Sequence, residues 1–284
     1  MTNPMIMDGR TLAKSFAEKF KTEVSRLAES GVKPCLSVVM VGENPASKVF
    51  VRNKVRFCNR VGVKVSVLTK PASISESELL ELIDLLNEDE NVHGILVQLP
   101  LPDHIDPFKV MARIDPVKDV DGLTPVNLGR LAYGDEALAP CGAKAVMRLL
   151  ERYGVDLEGQ DVCIISNSVL VGKPLSVMMT NRFATVSLCH VKTRVLDEYT
   201  SRADVLISAT GVPHLVKADM VKRGAVVVDV GISRLKGRIV GDVDFENVKE
   251  LVSMITPVPG GVGPMTVAMV VENLLNALRL QRGG

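Results

Sequence analysis

The chain has 284 residues, 46% hydrophobic and 24% charged, with a formal charge of +1, enough to bury two cores without disulfide or metal staples. The near-neutral charge, the lack of any long basic run and an aromatic content of 4% without Trp exclude an electrostatically driven nucleic-acid binder and leave a small molecule as the expected ligand. Five cysteines without CxxC spacing and four scattered histidines remove the usual zinc patterns, so no metal is expected.

The first ten residues, MTNPMIMDGR, contain no apolar core, and no later apolar run approaches the roughly 20 residues of a membrane span. With reduced thiols, this points to a cytoplasmic protein without a membrane partner.

In chain order, Leu12, Phe16, Phe20, Val24 and Leu27 mark a long helix that stops at Gly31. CLSVVMVG then reads as a strand, SKVFVRNKVRFC as a helix and VKVSVLT as a strand. SESELLELIDLLNED follows as a helix, and VHGILVQLP as a strand running into prolines. This βαβαβ order predicts a parallel sheet covered by helices. The Pro-, Gly- and Asp-rich stretch from Asp115 to Pro140 reads as a loop approaching a second domain. Beyond it, DVCIIS, ATVSLCH, ADVLISATG and AVVVDVGIS read as buried parallel strands, and TPVPGGVGPMT precedes a last helix over Val267 to Leu278.

The fold class is therefore two-domain α/β: an N-terminal parallel-sheet domain, a Rossmann-like domain, and a C-terminal helix returning to the first. The boundaries fall at 1–139 plus 265–284 and 140–264.

Within the second helix, Phe50, Val51, Val55, Phe57, Cys58 and Val61 share an apolar arc with Lys54 near its middle. An ammonium there must snorkel to water, pair with a carboxylate, or lose its proton more readily than a free lysine. Gln98 is the polar side chain at the C-terminal end of its strand, where open α/β sheets place ligands; a structural amide bonded to backbone is the alternative. In KDVDG, Asp119 and Asp121 could cap helices, bind a cation weakly, or accept bonds from an amidine-like ligand.

IISNSVLVGKP is a strand, a small polar turn and a Gly172–Pro174 helix start, a form that holds phosphates but also occurs in ordinary βα turns. CHVKTR, at the end of the next strand, has no acid. His190, Lys192 and Arg194 favour NADP over NAD unless they form a solvated basic loop. PVPGGVGP lets backbone approach a flat ligand or simply turns the chain into its last helix.

Lys54, HGILVQLPLP, KDVDG, SNSVLVGKP, GDVDF and TPVPGGVGPMT occur in this order over nearly the whole chain, which therefore resembles the bifunctional methylenetetrahydrofolate dehydrogenase/cyclohydrolase family. The resemblance implies a homodimer in which each subunit has a folate-binding catalytic domain and a nicotinamide-cofactor domain with a cleft between them, acting in one-carbon metabolism and purine biosynthesis. 5,10-Methylenetetrahydrofolate would be oxidised with NADP, or alternatively NAD, and the methenyl product hydrolysed to 10-formyltetrahydrofolate.

Lys54 would be the catalytic lysine, Gln98 its partner and Asp121 the pterin-holding carboxylate. Phe50, Pro259, Gly260 and Gly261 would complete the substrate contacts. Ser166, Asn167, Ser168, Gly172, Lys173, Thr210, Gly211 and Ile232 would line the cofactor.

Phe50 stands where the family usually has Tyr, Asn167 where NADP-using members often have Arg, and Val191 where they have Ser or Arg; PCGAKA lacks the usual Thr and Pro. Lys173, Lys192 or Arg194 would then replace the missing phosphate contacts. The competing readings are a shikimate-type two-domain dehydrogenase and a non-catalytic folate binder.

Overall fold

A computed structural model describes residues 4–283 of the protein. In chain order its strands and helices are β1 (Met5–Ile6), α1 (Gly9–Glu29), β2 (Cys35–Val41), α2 (Pro45–Val61), β3 (Lys64–Lys70), α3 (Glu76–Glu88), β4 (Gly94–Gln98), α4 (Pro107–Arg113), α5 (Pro125–Ala132), α6 (Cys141–Arg152), β5 (Asp161–Ile165), α7 (Gly172–Thr180), β6 (Thr185–Cys189), α8 (Asp197–Thr200), β7 (Val205–Ser208), β8 (Val226–Asp229), β9 (Ser233–Leu235), β10 (Arg238–Val240), α9 (Phe245–Val248), β11 (Met254–Ile255) and α10 (Val262–Gln281). They form two compact units, one of Lys14–Cys141 with the residues from Val267 onward, the other of residues up to Ala13 with Gly142–Thr266.

The first of these carries a parallel sheet of order β3-β2-β4. All seven residues of the central β2 are buried, as its unbroken apolar run requires of a strand covered on both faces. Val39, Val41, Ile95 and Val97 pack on one side with Leu79, Ile83 and Leu86 of α3 and Val110 of α4. A reciprocal pair starts α3: the Ser75 hydroxyl accepts from the Glu78 amide while the Glu78 carboxylate accepts from the Ser75 amide. The last helix belongs here from Val267 onward, and buried Asn273 ties it down by donating to the carbonyls of Val120 (3.0 Å) and Ala139 (2.9 Å).

The loop expected over Asp115–Pro140 contains α5. The composition that suggests a loop is also a helix start: the Thr124 side chain accepts from the Asn127 amide, and Pro125 occupies the first turn, where its missing N–H costs nothing. Likewise α10 begins at Val262, inside the segment taken as a turn, with Pro264 in its first turn.

The other unit is a six-stranded sheet of order β1-β11-β8-β7-β5-β6, parallel at every pairing. The first residues group with it because β1 lies beside β11, with Met5 opposite Met254 and Ile6 opposite Ile255. This differs from the 1–139 grouping expected from the sequence, in which the first strand is too short to register. Ile165 pairs with Ser208 and Ser208 with Asp229, so β5, β7 and β8 end in one row. The turns leaving that row occupy the position where doubly wound sheets bind ligands.

Candidate functional site

In the β3-β2-β4 unit, α2 sets the geometry. The Asn44 side chain accepts from the amides of Ala46 (2.9 Å) and Ser47 (3.1 Å), Pro45 opens the helix, and Gly62 ends it in the left-handed conformation. Its buried stripe is Ser47, Val51, Lys54, Cys58 and Val61, steps of three and four residues along one face. Phe50 stands at the edge of that face and is 41% exposed.

Lys54 is only 8% exposed, and its Nζ donates to Gln98 Oε1 at 3.2 Å. No carboxylate lies within ion-pair reach of it among the described residues. Gln98 Nε2 donates to the Leu99 carbonyl at 2.7 Å, which fixes the amide so that its oxygen faces Lys54. The Ser47 hydroxyl reaches the same carbonyl at 3.4 Å. Burial pushes the neighbouring Cys58 thiol up to about 12, leaving it protonated and inert.

The KDVDG carboxylates divide sharply. Asp119 is 1% exposed and accepts from the amides of Gly122 (2.9 Å) and Thr124 (2.8 Å) and from Asn127 Nδ2 (3.0 Å); burial raises its pKa above the ordinary carboxylate value. It is an internal brace. Asp121 is half-buried, and no hydrogen bond or ion pair engages its carboxylate among the described residues. Lys118 donates to the carbonyls of Leu86, Asn87 and Asp89 and so closes the end of α3.

In the six-stranded unit, β5 runs into Ser166, whose hydroxyl meets that of Ser168 at 3.2 Å; Ser168 Oγ accepts from the Val171 amide at 3.2 Å. Asn167 and Lys173 are exposed. A Cβ on Gly172 would lie 2.2 Å from the Ser166 carbonyl oxygen, so only glycine lets α7 start this close to the strand. The helix start has no side-chain cap; the Lys173 amide donates to the Ser168 carbonyl and Pro174 has no N–H, so the Gly172 amide and the two hydroxyls are the groups that suit a pyrophosphate.

Thr210 and Gly211 leave β7, and Ile232, 46% exposed, follows β8. Pro259, Gly260 and Gly261 belong to the same unit; Gly260 adopts φ +125°, and its carbonyl accepts from the Arg10 amide at 3.0 Å. His190, Lys192 and Arg194 are exposed after β6, with the Lys192 amide donating to His190 Nδ1.

Two buried carboxylates here were not singled out from the sequence as site residues. Asp229 is 3% exposed and Asp242 fully buried. Burial, helped by the nearby Asp242 charge, pushes Asp229 up to about 7 despite three amide donors that favour its charged form. Between the unfolded value of about 4 and that value the folded protein holds the extra proton, so stability from this group is lost as pH rises through about 7. Between pH 5 and pH 8, the stability of the native chain relative to Asp229→Asn should fall by on the order of 2–4 kcal/mol. Paired urea titrations check this; a constant difference contradicts it.

The chain matches the family profile of the tetrahydrofolate dehydrogenase/cyclohydrolase catalytic domain over residues 7–121 and that of the family's NAD(P)-binding domain over 140–282. It is 52% identical over 277 residues to the bifunctional protein FolD of Aquifex aeolicus, covering 97% of this chain and 95% of that one. The crystal structure of the bifunctional enzyme FolD from Campylobacter jejuni has a TM-score of 0.96 at 48% identity, covering 98% of this chain and 99% of the other. The Trypanosoma brucei methylenetetrahydrofolate dehydrogenase-cyclohydrolase, crystallised with NADP and an inhibitor, has a TM-score of 0.95 at 35% identity, with both chains fully covered. Shikimate dehydrogenase of Aquifex aeolicus, at 13% identity and a TM-score of 0.52, shares the fold alone.

Both domain profiles fall on the segments that carry the Lys54–Gln98 contact and the Ser166–Gly172 turn, and identity near one half runs over nearly the full length of the relatives. The chain therefore belongs to the tetrahydrofolate dehydrogenase/cyclohydrolase family.

Proposed function

We propose that the protein oxidises 5,10-methylenetetrahydrofolate to the 5,10-methenyl compound with NADP and hydrolyses that product to 10-formyltetrahydrofolate, in the cytoplasm and as a homodimer. The observation that carries this reading is a buried amine, Lys54, held at 3.2 Å by Gln98 with no carboxylate to pair with it among the described residues. Full-length kinship with bifunctional relatives supports the same pair of reactions and disfavours both a shikimate-type activity and a folate binder without catalysis.

NADP, when bound, supplies the hydride acceptor. The Gly172 cradle, the Ser166 and Ser168 hydroxyls and the exposed Asn167 would hold its pyrophosphate, and Thr210, Gly211 and Ile232 would line the rest of the cofactor. Lys173, Lys192 and Arg194 are exposed cations available to a 2'-phosphate. The oxidation needs alignment rather than a protein acid or base. Asp121, whose carboxylate no hydrogen bond or ion pair engages among the described residues, takes the adjacent N–H donors of the pterin in a two-point contact, and Phe50 bears on the folate.

In hydrolysis, water attacks the cationic one-carbon bridge, Lys54 Nζ takes the water's proton, and Gln98 holds the amine in line. The C–N5 bond of the hydroxyl adduct then breaks as N5 takes a proton from the Lys54 ammonium and the adduct's hydroxyl releases its own to solvent, leaving the formyl group on N10.

The test combines protein, methylenetetrahydrofolate and each oxidised cofactor, following reduced nicotinamide and the methenyl chromophore separately. Appearance of neither with either cofactor overturns the proposal. Light scattering of the eluted peak checks the dimer.

Phe50 lies one helical turn before Lys54 and lacks the hydroxyl usual in the family. Phe50→Tyr should raise cyclohydrolase turnover about 3–10-fold, the effect of one added hydrogen bond, while dehydrogenase turnover stays within about twofold. Stopped-flow decay of the methenyl absorbance measures it.

A further inference from the structure

The carboxylates of Asp229 and Asp242 are interleaved with two glycines. Asp229 Oδ1 accepts from the amides of Gly231 and Asp242, both at 3.0 Å, and its Oδ2 from the Val243 amide at 2.9 Å. Asp242 Oδ2 accepts from the Ser208 hydroxyl (2.8 Å), the Thr210 amide (2.6 Å) and the Thr210 hydroxyl (2.9 Å). Each carboxylate lies against the backbone of the segment bearing the other: a Cβ on Gly231 would be 1.9 Å from Asp242 Oδ1, and one on Gly241 1.9 Å from Asp229 Oδ2. DVG, residues 229–231, and GDV, residues 241–243, thus form a reciprocal lock.

The lock is costly. Two carboxylates are withdrawn from water side by side, and Asp242 Oδ1 is buried without a hydrogen-bond partner among the described residues, a state that disfavours folding. Its connections are also one-sided: among the described residues every side-chain bond Asp242 makes goes to Ser208 or Thr210, at the end of β7. Through its own amide it is fastened to Asp229, whose carboxylate also accepts from the amides of Val243 and of Gly231, the residue before Ile232. Ser233 Oγ closes the circuit by donating to the Gly211 carbonyl at 2.6 Å. The network therefore fixes the turn bearing Thr210 and Gly211 against the turn bearing Ile232.

We propose that Asp242 is a positioning residue for the nicotinamide cofactor, setting the Ser208–Gly211 turn relative to Ile232 from beneath without touching the ligand. This rests on the cofactor assignment made above. Because the hydrolytic reaction needs no cofactor, the protein carries an internal control: a general loss of structure lowers both activities, whereas a misplaced cofactor turn lowers one.

The experiment measures NADP KM in the dehydrogenase reaction, and methenyl hydrolysis without cofactor, for the native chain and three variants. Asp242→Ala, losing three bonds to one turn, should raise NADP KM at least about tenfold and leave hydrolysis within about twofold. Asp242→Asn keeps an acceptor oxygen and should recover to within about threefold of native KM. Ser208→Ala loses one bond and should raise KM about 2–3-fold.

An unchanged NADP KM in Asp242→Ala, or hydrolysis falling in step with it, overturns the inference. Should Asp242→Ala not fold, the NADP dissociation constant of Ser208→Ala by calorimetry decides, a native value being the refutation. A native chain inert toward methylenetetrahydrofolate would instead overturn the proposed function, so the two failures are distinct.

Discussion

Lys54→Met is expected to slow hydrolysis of the methenyl compound by about 10²–10⁴-fold, the range for removal of a positioned general base, while oxidation of the methylene compound persists. Methionine suits the position because it is unbranched, of similar length and apolar, so the Ser47, Val51, Cys58 and Val61 stripe can close around it without a cavity. What disappears is the donor to Gln98 Oε1, and with it the only side-chain amine on the buried stripe. A variant that merely unfolds would lose both activities. Hydrolysis at the native rate, measured from the decay of the methenyl chromophore, would remove Lys54 from the mechanism and with it the basis for assigning the second reaction to this site.

Much of this was legible in the sequence because it depends on local period and order. Lys54 falls inside the buried stripe of α2 because 47, 51, 54, 58 and 61 repeat every three or four residues. The buried parallel strands follow from runs such as CLSVVMVG and AVVVDVGIS, whose elements β2 and β8 are buried throughout. Proline misled in the other direction: Pro107 and Pro125 follow capping residues, Asp106 and Thr124, and start helices instead of breaking them.

Side-chain allocation was not legible. Nothing in KDVDG distinguishes Asp119 from Asp121, because what separates them is the amides of Gly122 and Thr124 folding back on the first alone. The reciprocal lock escaped for a similar reason. Asp242 meets Ser208 across 34 residues of sequence, and both lie in motifs whose visible features are apolar strand residues and glycines. A signal existed in hindsight: DVG and GDV each place an acid one or two residues from a glycine at a strand end, where a carboxylate and a close backbone approach are both useful.

The division of the two KDVDG carboxylates supplies the second large expectation. Asp121→Ala should lower kcat/KM for both reactions by about 10²–10⁴-fold, since the two charge-assisted bonds proposed to hold the pterin, each contributing roughly 1.5–3 kcal/mol, would be lost together. Its thermal stability should stay within about 0.5 kcal/mol of native, because no protein group engages the Asp121 carboxylate among the described residues. Asp119→Ala should do the reverse in origin: it strands the amides of Gly122 and Thr124 and the Asn127 side chain inside the fold and should destabilise the protein by about 3–5 kcal/mol before any effect on chemistry is visible. Steady-state kinetics of both reactions alongside urea unfolding separate these outcomes. An Asp121→Ala protein that keeps either activity at the native level has its pterin held elsewhere, and one that unfolds early has a carboxylate working for the fold and not for the ligand. The contrast with Lys54→Met is then diagnostic, since a substrate anchor serves both reactions and a proton acceptor serves only the one that consumes water.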